Sequence, residues 1–153
     1  MTPIQIYIFI TAYMKKSILL IQIAWIQAIV AMLGSLYFSD IRHYTPCVLC
    51  WYQRICMYPQ VLILGIACFK KDINVLRYTI PLTMVGLVIS LYHNLIYYKI
   101  ISEGFVPCSA GASCTTKYFA YFGFVTIPLL SFIAFTVILI SSVYAWKTHQ
   151  LAH

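Results

Sequence analysis

Charged side chains are scarce in this sequence. Only 8% of its 153 residues are Asp, Glu, Lys or Arg, and only three are acidic, whereas a soluble domain carries roughly 25% charge. So few polar groups cannot cover a surface in water, which excludes a soluble enzyme, a disordered tail and a small secreted disulfide scaffold. The ten basic residues are spread along the chain rather than clustered, so we expect no nucleic-acid partner.

Long uncharged runs take the place of the missing charges, and hydrophobic residues make up 63% of the chain. About 20 apolar residues cross a bilayer core of about 30 Å. The runs predict transmembrane helices at about 17–38, 78–98 and 123–146. A fourth is predicted at 49–69, where Pro46 is typical of a helix entry. The sequence therefore predicts an all-α membrane protein: a single integral domain, 1–153, built as a four-helix transmembrane bundle.

The basic residues also indicate an orientation. Cytoplasmic loops of membrane proteins carry an excess of Lys and Arg. One side of the predicted bundle has Lys15, Lys16, Lys70, Lys71, Arg77 and Lys147, and the other has Arg42, Lys99 and Lys117, or four with Arg54. This bias predicts that both termini are cytoplasmic and that two cysteine-bearing loops are extracytoplasmic, facing the oxidising side of a bacterial cytoplasmic membrane.

The first of those loops ends in Cys47-Val-Leu-Cys50. A helix N-terminus favours thiolates, so we expect the pKa values of both thiols to be lowered. Arg54 lies four residues after Cys50, on the same helix face, where its guanidinium would stabilise a Cys50 thiolate. The alternatives are a structural disulfide or two unreactive thiols, with Arg54 extending towards the headgroups.

The second loop contains Cys108 and Cys114, separated by small residues. Such a loop is accessible, which suits a disulfide that is attacked by the thiolate of another protein. The alternative is a fixed staple of the loop. A four-cysteine zinc site is disfavoured, because C-x5-C is a poor half-site and two membrane spans separate the pairs. We therefore expect no metal.

His93 interrupts the third apolar run about five residues before its outer end. At 1.5 Å per residue it lies about 7 Å deep, at the level of Arg54. Two basic side chains at one depth beside a thiol pair can hold the oxygens of a lipid-soluble electron acceptor. The alternative is an ordinary hydrogen bond from His93 to a neighbouring helix.

These motifs resemble a known family. The segment 47–59, Cys-Val-Leu-Cys-Trp-Tyr-Gln-Arg-Ile-Cys-Met-Tyr-Pro, resembles the signature of the DsbB family of membrane disulfide-forming proteins, and most closely its BdbC branch. Leu91-Tyr-His93 and Gly123-Phe-Val-Thr-Ile-Pro128 are similar to the same branch. The resemblance covers about Ser17 to Trp146, whereas residues 1–14 match no pattern.

The resemblance implies a membrane thiol oxidase coupled to ubiquinone or menaquinone. It implies that Cys108 forms a mixed disulfide with a thioredoxin-like oxidant of the DsbA or BdbD kind, with Cys114 as its companion. Electrons then pass to Cys47 and Cys50, and Cys50 is the thiolate that faces the quinone. Arg54 matches the family arginine that supports quinone binding.

Other functions remain open from the sequence. A membrane reductase that exports electrons would need a cytoplasmic thiol pair, and only Cys68 lies near that side. A vitamin-K-type quinone or epoxide reductase has related chemistry, but its sequence pattern is not evident. A non-enzymatic membrane protein with structural loop disulfides is the remaining alternative.

Overall fold

The computed structural model describes residues 3–101 and 126–150, with side chains from residue 11 onward. Four helices account for most of these residues. Helix α1 spans Pro3–Leu36 and continues as a π-helical turn at Tyr37–Ile41. Helix α2 spans Val48–Lys70, a 3-10 turn covers Ile73–Val75, α3 spans Leu76–Tyr97, and α4 spans Ile127–Gln150. The described part of the chain contains no strand.

The helices pack in a ring in chain order. Contacts run from α1 to α2, from α2 to α3, from α3 to α4, and from α4 back to α1. Small and polar side chains fill much of the interior, including Ala24, Ala28, Ala134 and Ser142. Small residues allow close helix approach in lipid, where apolar surface alone does not drive helices together. The chain is thus an all-α bundle assembled like a membrane protein.

The outer surface is apolar. Large hydrophobic side chains such as Leu33, Leu62, Phe69 and Val88 are exposed on the bundle, as expected where lipid is the solvent. Within the described residues, three helical stretches are long and apolar enough to cross a membrane: Thr11–Ile41, Ile73–Tyr97 and Ile127–Gln150. Helix α2 has 23 residues, enough for about 35 Å, but its glutamines and Arg54 make it the most polar of the four.

Each predicted span overlaps one observed helix, and the all-α helical bundle is confirmed. Residues 4–12 belong to the beginning of α1, which continues without a break into the first predicted span. The start of the predicted 123–146 span lies outside the described residues, and α4 begins at Ile127 after Thr126, whose hydroxyl accepts from the N–H of Leu129. The exact membrane boundaries stay a prediction.

One end of the bundle joins the loop before α2 to the end of α3. Cys47 and Leu49 pack with Ile96 in a small buried cluster. At the opposite end, the Arg77 guanidinium lies over the Trp146 ring, 5.6 Å from its centroid. The chain therefore leaves α3 towards residues 102–125 at the same end as Cys47. Cys108 and Cys114 themselves lie outside the described residues.

Candidate functional site

The C-x2-C pair sits at the first turn of α2. Cys47 is the N-cap residue, with extended backbone, and its Sγ accepts from the Cys50 N–H at 3.4 Å. The two Sγ atoms lie 3.0 Å apart, and both cysteines are free thiols. A side chain that caps a helix meets N–H groups left without partners in the first turn. The fold thus holds both sulfurs against the positive end of the helix.

Cys47 is the sulfur better placed to carry negative charge. The hydrogen bond from the Cys50 thiol lowers the pKa of Cys47 most, and His93 lowers it further, against the opposing effect of burial. The lowered pKa of Cys47 agrees with the expectation for a thiol at a helix start, whereas Cys50, which the spacing also predicted as a thiolate beside Arg54, is the donor in this pair. Charge on Cys47 follows from its position as the acceptor at the helix terminus.

His93 is brought to the thiol pair by α3. Its Nε2 lies 3.7 Å from the Cys47 Sγ, and its Nδ1 lies 3.2 Å from the Gln53 Nε2. The histidine is only 2% exposed. With Gln53 donating to Nδ1, the proton of the neutral ring resides on Nε2 and points at Cys47. His93 therefore contacts the cysteine pair directly.

Gln53 is a site residue that sequence reasoning missed. It is buried and lies three residues after Cys50, a spacing that places two side chains on neighbouring parts of a helix surface. The available signal was a glutamine inside the predicted 49–69 span, one helical turn after the C-x2-C motif. The contact with His93 depends on how α2 and α3 pack, which spacing along one helix does not reveal.

Arg54 is anchored to α1. Its Nε donates to the Ser35 Oγ at 2.9 Å and its Nη2 donates to the Ser35 carbonyl at 3.0 Å. Its guanidinium also lies over the Trp51 ring, 5.3 Å from the centroid. These contacts engage two of the five guanidinium N–H groups. Arg54 is thus fixed to the neighbouring helix rather than extended freely along the surface.

A cavity of about 310 Å³ opens beside these groups, with all four helices contributing to its wall. Cys47, Cys50, Arg54 and His93 line it together, so the structure brings together the four described residues that the sequence singles out. The rest of the wall is largely apolar, with residues such as Val30, Ala31, Met57, Leu130, Ala134 and Phe135. A mostly apolar cavity with a few convergent polar groups is typical of small-molecule sites.

The remaining described cysteines lie elsewhere. Cys56 is buried in the main core, and Cys68 packs against that core. Neither lines the cavity. Both are therefore placed as small apolar residues of the core and its edge.

The fold and the site define a membrane protein with a dithiol beside an apolar cavity. A family model described as "Disulfide bond formation protein DsbB" matches residues 16–145. The chain belongs to this family of membrane oxidoreductases that take part in disulfide bond formation. The resemblance noted in the sequence is thereby confirmed.

Individual relatives agree with the family match. The chain is 50% identical over 127 residues to "Disulfide bond formation protein C" of Bacillus subtilis, covering 83% of this chain and 92% of the relative. It is 50% identical over 119 residues to "Probable disulfide formation protein C" of Halalkalibacterium halodurans, covering 78% and 87%. A relative from Bacillus cereus, "Probable disulfide formation protein C 2", is 52% identical over 120 residues, covering 78% and 86%. No solved structure matches the chain.

Proposed function

We propose that this protein is a quinone-dependent thiol oxidase of the bacterial cytoplasmic membrane. It reoxidises an extracytoplasmic thioredoxin-like protein of the DsbA or BdbD kind and so sustains disulfide bond formation. The observation that carries the proposal is the Cys47–Cys50 dithiol lining a largely apolar cavity together with Arg54 and His93.

The cavity fits a quinone headgroup in size and chemistry. Its volume of about 310 Å³ lies at the lower end of the range for ligand pockets. A quinone presents an apolar ring with two carbonyl oxygens, and the wall offers apolar side chains with N–H donors on Arg54. A quinone bound there supplies the acceptor for two electrons and two protons released as the dithiol becomes a disulfide.

The two sulfurs of the dithiol have different roles. Cys47 is buried, whereas Cys50 is partly exposed. The two sulfurs lie 3.0 Å apart, so a Cys47 thiolate can take the proton from Cys50 as charge develops on the Cys50 sulfur. Cys50 is then the sulfur that delivers electrons to the cavity, and the Cys47 sulfur closes the disulfide.

Arg54 and His93 serve the site in different ways. Arg54, held by Ser35, orients a carbonyl oxygen and stabilises negative charge that develops on it. His93 holds its Nε2 proton towards Cys47 and stabilises a thiolate there. Each side chain is held by a residue of a neighbouring helix, Arg54 by Ser35 and His93 by Gln53. Neither side chain therefore has to become ordered when the acceptor binds.

The outer thiol exchange is assigned to Cys108 and Cys114. A thiolate of the reduced partner attacks their disulfide at Cys108, and the partner's second thiol resolves the mixed disulfide, which leaves the partner oxidised and Cys108 and Cys114 as thiols. Cys114 then attacks the Cys47–Cys50 disulfide at Cys47, and Cys108 resolves the Cys114–Cys47 disulfide, which restores Cys108–Cys114 and leaves the inner pair as a dithiol. Each step exchanges one S–S bond for another, so electrons and atoms balance until the dithiol delivers its pair to the quinone.

A reconstituted assay tests the proposal. Purified protein is mixed with a reduced thioredoxin-like oxidant and a quinone, and the quinone absorbance is followed. We expect turnover by the wild type, none by Cys50→Ser, and unchanged turnover by Cys68→Ser. Full turnover by Cys50→Ser, or loop disulfides that resist mild dithiothreitol and never form mixed disulfides, would favour a purely structural protein.

A further inference from the structure

The reduced site brings three metal-ligating atoms together. The sulfurs of Cys47 and Cys50 and a ring nitrogen of His93 all lie within 4.8 Å of one another. They come from the start of α2 and from α3, so the site is made by helix packing. The four-cysteine zinc site that the sequence disfavours is a different set of ligands, since it contains the two cysteines of the second loop and not His93.

We propose that the reduced Cys47–Cys50 pair and His93 form a site for one thiophilic divalent cation, Zn²⁺ or Cd²⁺, whose binding holds the pair in the dithiol state. This inference does not depend on the proposed quinone chemistry. It assigns to the same residues a second, inhibitory ligand, a metal ion, that competes with formation of the disulfide.

The donor set selects the metal. Two sulfur ligands and one imidazole suit Zn²⁺ and softer ions, whereas Ca²⁺ and Mg²⁺ require oxygen ligands. Two thiolates also neutralise the two charges of the cation. A neutral complex is compatible with this buried position, where Cys47 is 5% and His93 is 2% exposed, because an uncompensated charge there would be costly.

The two donor distances that involve Cys47 need only a small adjustment. Tetrahedral bonds of 2.3 Å to sulfur and about 2.05 Å to nitrogen place S and N about 3.5 Å apart and two sulfurs about 3.8 Å apart. The observed Cys47 Sγ to His93 Nε2 distance is 3.7 Å, already close to that value. The two sulfurs are 3.0 Å apart and must separate by about 0.8 Å, which a thiol side-chain rotation can supply.

Gln53 can support the histidine in both states. In the metal-free site its Nε2 faces the His93 Nδ1. When Nε2 of the histidine binds a metal, the proton moves to Nδ1, and a metal-bound histidine commonly donates that proton to an oxygen. Rotation of the Gln53 amide by half a turn presents its Oε1 as the acceptor. An amide is suited to both tautomers because it carries a donor and an acceptor.

Binding is coupled to the redox state. Forming the complex releases whatever thiol protons the pair still carries and moves no electrons, while the disulfide offers no thiolates and cannot bind the ion in this way. The three protein ligands leave a fourth position, as in metal sites that take an exchangeable ligand, and the adjacent cavity gives it room. A bound ion therefore protects the dithiol until it is removed.

Metal titration of the detergent-purified protein tests the site. The Cys108→Ser/Cys114→Ser double variant removes the other loop thiols, and Cd²⁺ or Co²⁺ is added to its reduced form while the thiolate-to-metal charge-transfer absorbance is recorded. We expect one equivalent per chain, none for Cys50→Ser in that background, and binding weakened by about tenfold or more for His93→Gln, since a ligand is lost. Cys56→Ser and Cys68→Ser should bind like their parent.

The same chain in its oxidised form is a control that does not depend on the folding of any variant. We expect no charge-transfer band after Cys47 and Cys50 are joined, and recovery of the band after reduction. Equal binding by the oxidised protein, or binding that follows Cys56 or Cys68, would overturn the proposal. Because no quinone or partner is present, a negative result leaves the thiol oxidase proposal intact, and loss of turnover in the assay above would leave the metal site intact.

Discussion

The Nε2 atom of Gln53 lies 3.2 Å from the Nδ1 atom of His93, and both side chains are buried. This contact connects α2 to α3 directly beneath the cysteine pair. It also sets which nitrogen of the imidazole carries the proton, because Nδ1 must accept where the glutamine donates. The histidine then directs Nε2–H at Cys47.

Replacing Gln53 by Leu should slow quinone reduction by about fivefold. A lost hydrogen bond of about 1 kcal/mol changes a rate by about that factor if it is needed in the transition state. Gln53 acts through His93 and is a positioning residue, so the decisive readout is the ring ¹⁵N spectrum of His93. We expect it to show a mixture of tautomers in Gln53→Leu.

Gln60→Leu is the matched control for that experiment. Gln60 is another buried glutamine of α2, but it accepts from Thr83 and donates to the Cys56 carbonyl. Its loss should lower stability without altering the His93 spectrum. An unchanged His93 spectrum in Gln53→Leu would refute the positioning role.

The helices could be predicted from the sequence, but the contacts between them could not. Runs of apolar residues are sufficient to locate α1, α3 and α4, since bilayer thickness fixes the length of a span. The beginning of helix α2 could be located only with the help of Pro46, because Gln53, Arg54 and Gln60 interrupt its apolar run. The π-helical turn at Tyr37–Ile41 has no periodicity that marks it.

In the site, too, the features within one helix could be predicted and the contacts between helices could not. Spacing within one helix predicted that Cys47, Cys50 and Arg54 share a face, and all three line one cavity in the structure. The partner of Arg54 is Ser35 on α1, and the partner of His93 is Gln53 on α2. Both depend on how the helices are rotated against each other, which is set by packing of many side chains and not by any local pattern.

Arg54→Ala should raise the apparent KM for quinone by about tenfold or more, since a hydrogen bond from a charged donor contributes about 1.5–3 kcal/mol. Ser35→Ala should give a smaller increase, because it removes the 2.9 Å bond to Nε but leaves the bond to the Ser35 carbonyl. Arg54→Lys should behave like Arg54→Ala, since an ammonium cannot make the same paired contacts. Steady-state kinetics at saturating thiol partner measure all three.

If the KM for quinone is unchanged in Arg54→Ala, Arg54 does not bind quinone and serves only to hold α2 against α1. Thermal unfolding of the variant separates the two roles. An anchor lowers the unfolding temperature with the KM preserved, whereas a quinone ligand changes the KM more than the stability.

Gly86→Ala should destabilise the bundle by about 1–3 kcal/mol, the usual cost of overpacking a core. A Cβ atom at Gly86 would overlap the ring of Phe135, which is fully buried on α4. Phe135→Leu combined with Gly86→Ala should recover part of the loss by making room. Reversible unfolding in detergent provides the measurement.

Gly34→Ala is the control for the glycine substitution. No atom lies within 4 Å of a Cβ at Gly34, and alanine favours a helix over glycine by about 0.5–1 kcal/mol. This variant should be as stable as the wild type or more so. Similar destabilisation by both substitutions would show that Phe135 is not the cause.

The orientation in the membrane can be tested at helix ends that the structure exposes. Arg42 and Ile100 lie at the end of the bundle with the cysteine pair, and Asn74 lies at the other end. In a background with the native cysteines changed to serine, we expect a membrane-impermeant maleimide to label Arg42→Cys and Ile100→Cys in intact cells. Asn74→Cys should react only after permeabilisation, because Lys and Arg concentrate on the cytoplasmic side. The reverse pattern would place the dithiol in the cytoplasm, where thiols are kept reduced, and would exclude the proposed exchange with an extracytoplasmic oxidant.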